Sequence, residues 1–338
     1  MLNPFIQWIE GNGAWAPWLF VGVFMVASLL MIWRLEAMSA GGFEGTVLGT
    51  LVMPYCSGMG NLIFAFILGR HGGDGEDVMT NSLVNNVTNM TLVLGLPAIL
   101  WGMNVVPQKS ADGKKSKSEA RGGNAHHVDR LSLLMTMLAV VFFTGAVWAL
   151  GRDGKITFNE GMVLVGLFLF WQCFQVFEVL KQSARQGRSP LGWMFPVDMA
   201  LLAVGAYGIY VSTGWLVHWI VHIQTGFISE QHLGWLSGWL MVLPNALLAL
   251  YYGLRRQPEV VYASQVGDAH VSIPLCVGIF ALYHTMPVPA FFQTGMFILF
   301  GATFVHLFCV SILGRLPRIA GFVLVGAYGY FLWKGLLQ

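Results

Sequence analysis

Apolar stretches of bilayer-spanning length recur from one end of this chain to the other, and that recurrence constrains the fold more than any motif. A helix rises 1.5 Å per residue, so about 20 apolar residues cross the roughly 30 Å hydrocarbon core. Ten such stretches can be placed, at about 15–34, 43–69, 77–104, 131–150, 158–180, 194–222, 231–254, 258–286, 290–313 and 315–336. Only 10% of the 338 residues are charged and the mean hydropathy is +0.66, values that exclude an ordinary soluble domain. In lipid, every backbone N–H and C=O must be satisfied internally, so the expected class is an all-α integral membrane protein of ten transmembrane helices.

The termini, cysteines and charges fit that class. Residues 1–14 hold Glu10 and Pro4 but no basic region, and the first apolar run reaches full spanning length, so no cleaved signal peptide is expected. Cys56, Cys173, Cys276 and Cys309 fall within predicted spans without C-x-x-C spacing, as small buried residues do. Assigning loops alternately to two faces puts Arg34, Lys109, Lys114, Lys115, Lys117, Arg121, Arg130, Lys181, Arg185, Arg188, Arg255, Arg256, Arg315 and Arg318 on one side. Arg70, Arg152, Lys155 and Lys334 fall on the other. The positive-inside rule makes the first face cytoplasmic and leaves both termini outside, in what is expected to be a bacterial inner (plasma) membrane. Residues 105–130 are polar, basic and Gly/Ser-rich, and are expected to form a cytoplasmic loop between the third and fourth spans. As a solvated loop it satisfies the orientation rule; as a basic one it could also meet anionic headgroups or an acidic partner. No nucleic-acid partner is expected.

The chain also repeats itself. G161-M-V-L-V-G-L-F-L-F170 returns 160 positions later as G321-F-V-L-V-G-A-Y-G-Y330. V84-N-N-V-T-N-M-T-L-V-L-G95 lines up with G267-D-A-H-V-S-I-P-L-C-V-G278 at an offset of 183. The offsets differ by 23, close to the length of the polar loop, which only the first half carries. The division is then 1–104 (helices 1–3 of the first repeat), 105–130 (the loop), 131–190 (helices 4–5) and 191–338 (helices 6–10). Five is odd, so the second repeat enters the membrane from the opposite face, the geometry of alternating-access transporters.

The second half carries L240-M-V-L-P-N245, then Pro258-Glu259, then G267-D-A-H-V-S272 and P274-L-C-V-G278. These stretches resemble the calcium/cation antiporter superfamily, whose sodium/calcium exchanger fold has G-T-S-L-P-E followed by G-S-N-I-F-N in each half. T80-N-S-L-V-N-N-V-T-N89 and D153-G-K-I-T-F-N-E-G161 resemble the first-half counterparts. The resemblance implies two inverted five-helix repeats and a cation antiporter. It also implies a glutamate after the proline in each half, the pair that coordinates calcium. Here that position is Asn245, and in the first half every candidate from Tyr55 to Asn61 is uncharged. Calcium takes six to eight oxygens including carboxylates, so ordinary calcium exchange is not expected.

A polar cluster remains at the centre. Asn81, Asn85, Asn86 and Asn89 share one span, and in lipid they must bond to neighbours or line a wet cavity. Asp268, His270 and Ser272 lie opposite by repeat symmetry, with Asn245, Ser57 and Asn61 on crossing helices. The ion- or solute-binding candidates are therefore Asn85, Asn86, Asn89, Asp268, Ser272, Asn245, Ser57, Asn61 and His270. Asp268 is the one acid placed mid-span; with the asparagines it could take a monovalent cation or carry a proton, with His270 as partner. The same groups could instead form a hydrogen-bonded plug in a transport-inactive subunit anchored among other membrane subunits. His218 and His222 beside Trp215 and Trp219 read as interfacial aromatic-belt residues rather than haem ligands. No cofactor or resident metal is expected, and no nucleophile triad, phosphate loop or zinc motif suggests an enzyme.

Overall fold

The computed structural model describes residues 15–40, 53–105, 119–186, 195–222 and 227–337. Ten long helices run through them: α1 (Ala16–Ala40), α2 (Met53–His71), α3 (Gly75–Trp101), α4 (Glu119–Leu150), α5 (Phe158–Gln186), α6 (Phe195–His222), α7 (Leu233–Leu254), α8 (Pro258–Ala281), α9 (Phe292–Leu313) and α10 (Arg318–Leu336). They fall where the ten apolar stretches predicted them. The start of the second stretch, residues 43–52, lies outside the described residues, as do 106–118 of the polar segment. The rest of that segment differs from the loop expected, because α4 already begins at Glu119. Once a spanning helix exists, each added residue propagates it without a new nucleus, so the helix extends past the apolar boundary.

Eight of these helices are long and apolar enough to cross a membrane; α2 and α8 fall short of that measure. Their position explains it. In α3, 78% of the most apolar window is buried within the protein, against 22% in α5 and α10. α2 packs on α8 and α7 packs on α3, so these four helices form the centre, while α5 and α10 cover α8 and the C-terminal part of α3. Screened from lipid by their neighbours, α2 and α8 can carry polar residues that an outer helix cannot.

The inverted repeat is visible in matched details. The strands β1 (Met103–Asn104), β2 (Lys155–Ile156), β3 (Met286–Pro287) and β4 (Arg315–Leu316) form two short antiparallel clasps. Met103 faces Leu316 and Met286 faces Ile156. Met286 follows Met103 by 183 positions and Leu316 follows Ile156 by 160, the two offsets of the sequence duplication. Gly154 (φ +90°) and Gly314 (φ +64°) make the matching left-handed turns ahead of β2 and β4. The close crossings match too. A Cβ on Gly95 would stand 3.1 Å from the Gly321 carbonyl, and one on Gly278 would stand 3.3 Å from the Gly161 carbonyl. Small residues at such crossings let backbones approach, which drives helix association where lipid removes the hydrophobic term.

α1 and α6 lie against each other beside this centre. Phe20 stacks on Trp215 with ring centroids 4.1 Å apart, and Arg34 near the end of α1 forms an ion pair with Asp198 in the first turn of α6. At α5, Thr157 precedes the helix and both its N–H and its hydroxyl donate to Glu160, so this acid is spent on a helix cap.

Candidate functional site

α3 and α8 cross near their midpoints, and the repeat offset sets Asn85 opposite Asp268 and Asn89 opposite Ser272. Asp268 is fully buried. Its Oδ2 accepts from three carboxamides: Asn85 Nδ2 at 2.8 Å, Asn89 Nδ2 at 2.7 Å and, from α7, Asn245 Nδ2 at 3.3 Å. A carboxylate only accepts, so each amide turns its NH2 group inward and its carbonyl oxygen away. The consequence is a set of oxygens with no hydrogen-bond partner among the described residues: Oδ1 of Asn85, Asn89 and Asn245, and Oδ1 of Asp268 itself. Asp268 Oδ1 points at α2, where a Cβ on Gly58 would stand 2.9 Å away. Gly58 thus leaves room for the bare oxygen.

The other candidates divide. Asn86 and Ser272 pair beside the cluster: the Ser272 hydroxyl lies 2.9 Å from Asn86 Oδ1, and Asn86 Nδ2 donates to the Ser82 carbonyl at 2.7 Å. Their polar atoms are occupied, which makes them a link between α3 and α8. Asn61 is fully buried one turn beyond Gly58, with neither amide atom partnered. Ser57 is half-buried beside Gly58. His270 is not brought to the cluster. It sits about 200° around α8 from Asp268 and is buried there, near the backbone carbonyls of the preceding turn of its own helix. The repeat makes the reason plain, because residue 87, its counterpart at offset 183, is Val87.

Sequence reasoning passed over Gln265. It is fully buried one turn before Asp268, donates to the Asn245 backbone carbonyl at 3.3 Å, and leaves Oε1 unpartnered. Its signal was available, since it is Ser82 displaced by 183 on a helix already holding Asp268. Asn81 donates to the Ser237 hydroxyl at 3.0 Å and also leaves its oxygen bare.

The cluster therefore offers one formal negative charge and several neutral amide oxygens in a site closed to solvent. Hard cations prefer such oxygen donors. No group of three or more His, Cys, Asp or Glu side chains suited to a metal occurs among the described residues.

A family model described as sodium/calcium exchanger protein matches residues 14–177 and 197–334, nearly the whole chain. The chain belongs to the sodium/calcium exchanger family. As a member it is a multi-pass membrane transporter-type protein, not an enzyme. Solved structures of the sodium–calcium exchanger NCX_Mj share this family's fold with it. One, soaked with 2.5 mM Na+ and 10 mM Sr2+, matches with a TM-score of 0.65 and 16% identity, covering 98% of this chain and 99% of that one. Another, soaked with 2.5 mM Na+ and 1 mM Sr2+, gives 0.64 and 17% over 93% and 95%. At that identity the likeness concerns the fold. None of the curated proteins gives a match to the chain.

Proposed function

We propose that this exchanger-family protein is a secondary transporter of altered specificity, moving a monovalent cation through the Asn85–Asn89–Asn245–Asp268 cluster, with a proton as the competing occupant of Asp268. The observation that carries this reading is the set of bare buried oxygens at and around Asp268. A buried polar atom left unpaired costs about 1–3 kcal/mol, and the five oxygens of Asn85, Asn89, Asn245, Gln265 and Asp268 would together cost more than a plug should tolerate. A cation at the bare Asp268 Oδ1 would offset the largest of these costs, and turning an amide over would bring its oxygen to the same ion. One carboxylate balances a single positive charge, whereas a divalent ion would retain a net charge in a low-dielectric interior. Asn245, standing where the family resemblance expects glutamate, is the main departure from a calcium site.

In this reading both repeats rock about the cluster and expose it alternately to each side. The 105–130 segment is cytoplasmic and both termini lie outside, in a bacterial inner membrane. A second reading, a transport-inactive anchoring subunit among other membrane subunits, draws on the sealing of the cluster, since Asn85, Asn89 and Asp268 are all fully buried. An occluded state of an alternating-access cycle has the same appearance. Reconstitution into liposomes discriminates them: a transporter accumulates 22Na+ when an opposing cation or proton gradient is imposed. No gradient-driven uptake of Li+, Na+ or K+, together with stoichiometric co-purification of other membrane proteins, sinks the transport reading.

A further inference from the structure

α3 is not a continuous α-helix. Gly75–Thr88 is followed by a π turn at Asn89–Val93 and then by Leu94–Trp101. Such turns are uncommon and concentrate at functional sites. This one begins at Asn89, a partner of Asp268. The second repeat interrupts its ladder at the same place by other means. Pro274 is Thr91 displaced by 183, and lacking an N–H it leaves the His270 carbonyl without its helical donor.

Among the described residues, only the first repeat has an external clamp on its break. His306 on α9 is fully buried, and its Nε2 lies 2.8 Å from the Met90 carbonyl inside the π turn. A carbonyl only accepts, so Nε2 carries the hydrogen. Nδ1 of the neutral ring then accepts from the hydroxyl of Tyr262, 3.0 Å away on α8 and also fully buried. The chain Tyr262–His306–Met90 therefore ties α8, α9 and the π turn together. At the repeat-equivalent positions stand Ala146 (160 before His306) and Met79 (183 before Tyr262), so the inverted-repeat scaffold does not require this link.

Relaxing the π turn to an α turn would change the phase of α3 by one residue, about 100° of rotation between its two parts. The C-terminal part is held by the Gly95–Gly321 crossing and the N-terminal part by Val84 against Gly238, so losing the π turn would strain the stretch between them, which carries Asn85 and Asn89. We propose that His306 is a positioning residue: by holding the Met90 carbonyl it keeps the π turn wound and the Asn89 carboxamide on Asp268. The proposal rests on the reading of that cluster as a cation site.

The test titrates the purified full-length protein with Na+ and follows the sodium-dependent shift in melting temperature. Asn89→Ala, which removes an amide hydrogen-bonded to a charged group, is expected to weaken sodium binding about tenfold or more. His306→Leu is expected to weaken it by the same factor, and the double variant no further than either alone, the non-additivity of two residues acting through one group. His306→Gln offers an amide N–H at similar reach and restores most of the affinity. Independent, additive losses, or a His306→Leu protein that melts lower yet binds sodium as before, overturn the positioning role. So does a Gln variant no better than Leu. If Asn89→Ala leaves sodium binding intact, the cation-site reading itself falls and takes the proposal with it.

Discussion

Replacing Asp268 with Asn tests the central charge with little change of shape. In the native site Oδ2 is held by three NH2 groups and Oδ1 is left beside Gly58. The substituted oxygen can still accept from the Asn85 and Asn89 amides, so the frame of hydrogen bonds survives. What disappears is the attraction between the carboxylate and a bound cation. For unit charges 4 Å apart at an effective dielectric constant of about 20, that attraction is about 4 kcal/mol. At 1.4 kcal/mol per decade, affinity for sodium should fall roughly a thousandfold. The linked stability reads this out. Sodium at 100 times the native dissociation constant stabilises the folded protein by about 2.7 kcal/mol, and the same concentration should contribute under about 0.1 kcal/mol to the variant. The sodium-free variant should melt no lower than the native protein, because a buried and incompletely paired charge is removed. Equal sodium-dependent shifts in the two proteins, or equal 22Na+ flux, would refute the assignment of the site to Asp268.

Three further expectations follow from other parts of the fold. Asn245→Glu adds a second carboxylate against Asp268 and should confer a Ca2+-dependent rise in melting temperature that the native protein lacks, measured by thermal unfolding in calcium and in chelator. Gly321→Val should destabilise by about 1–3 kcal/mol, since even a Cβ there stands 2.8 Å from the Gly95 carbonyl, whereas Gly326→Ala on the same helix meets nothing within 4 Å and should be neutral or slightly stabilising. Asp198→Asn strands Arg34, whose side chain is 12% exposed, and should lower unfolding stability by about 3 kcal/mol without altering sodium affinity. Denaturant or thermal unfolding of the purified protein checks the last two.

The candidate site was partly legible before any coordinates. Asn85, Asn89, Asp268 and Asn245 could be grouped because four asparagines and one acid stand out in apolar spans, and the repeat offset pairs them across the centre. Asn86 and Ser272 belong beside them, but composition could not say that these two satisfy each other. Repeat symmetry puts His270 with Asp268 and Ser272 on the segment opposite the asparagines. Helical periodicity turns it to the opposite face, and the Val87 counterpart would have exposed the error. What Gln265, His306 and Tyr262 bond to is not legible in the sequence, for a physical reason. A buried polar side chain acquires meaning from the group it meets, and His306 meets a carbonyl 216 residues away.

The ten helices, the duplication with its two offsets and the inverted relation of the halves are all legible in the unfolded chain. These follow from the length of apolar runs, from self-similarity and from an odd helix count, all of which are properties of the chain read along its length. Which amide atoms face the carboxylate, where the ladder of α3 breaks and which glycines touch emerge only once the helices are packed. Those depend on the crossing of helices distant in sequence, where a rotation of one residue carries a side chain from the centre to the lipid.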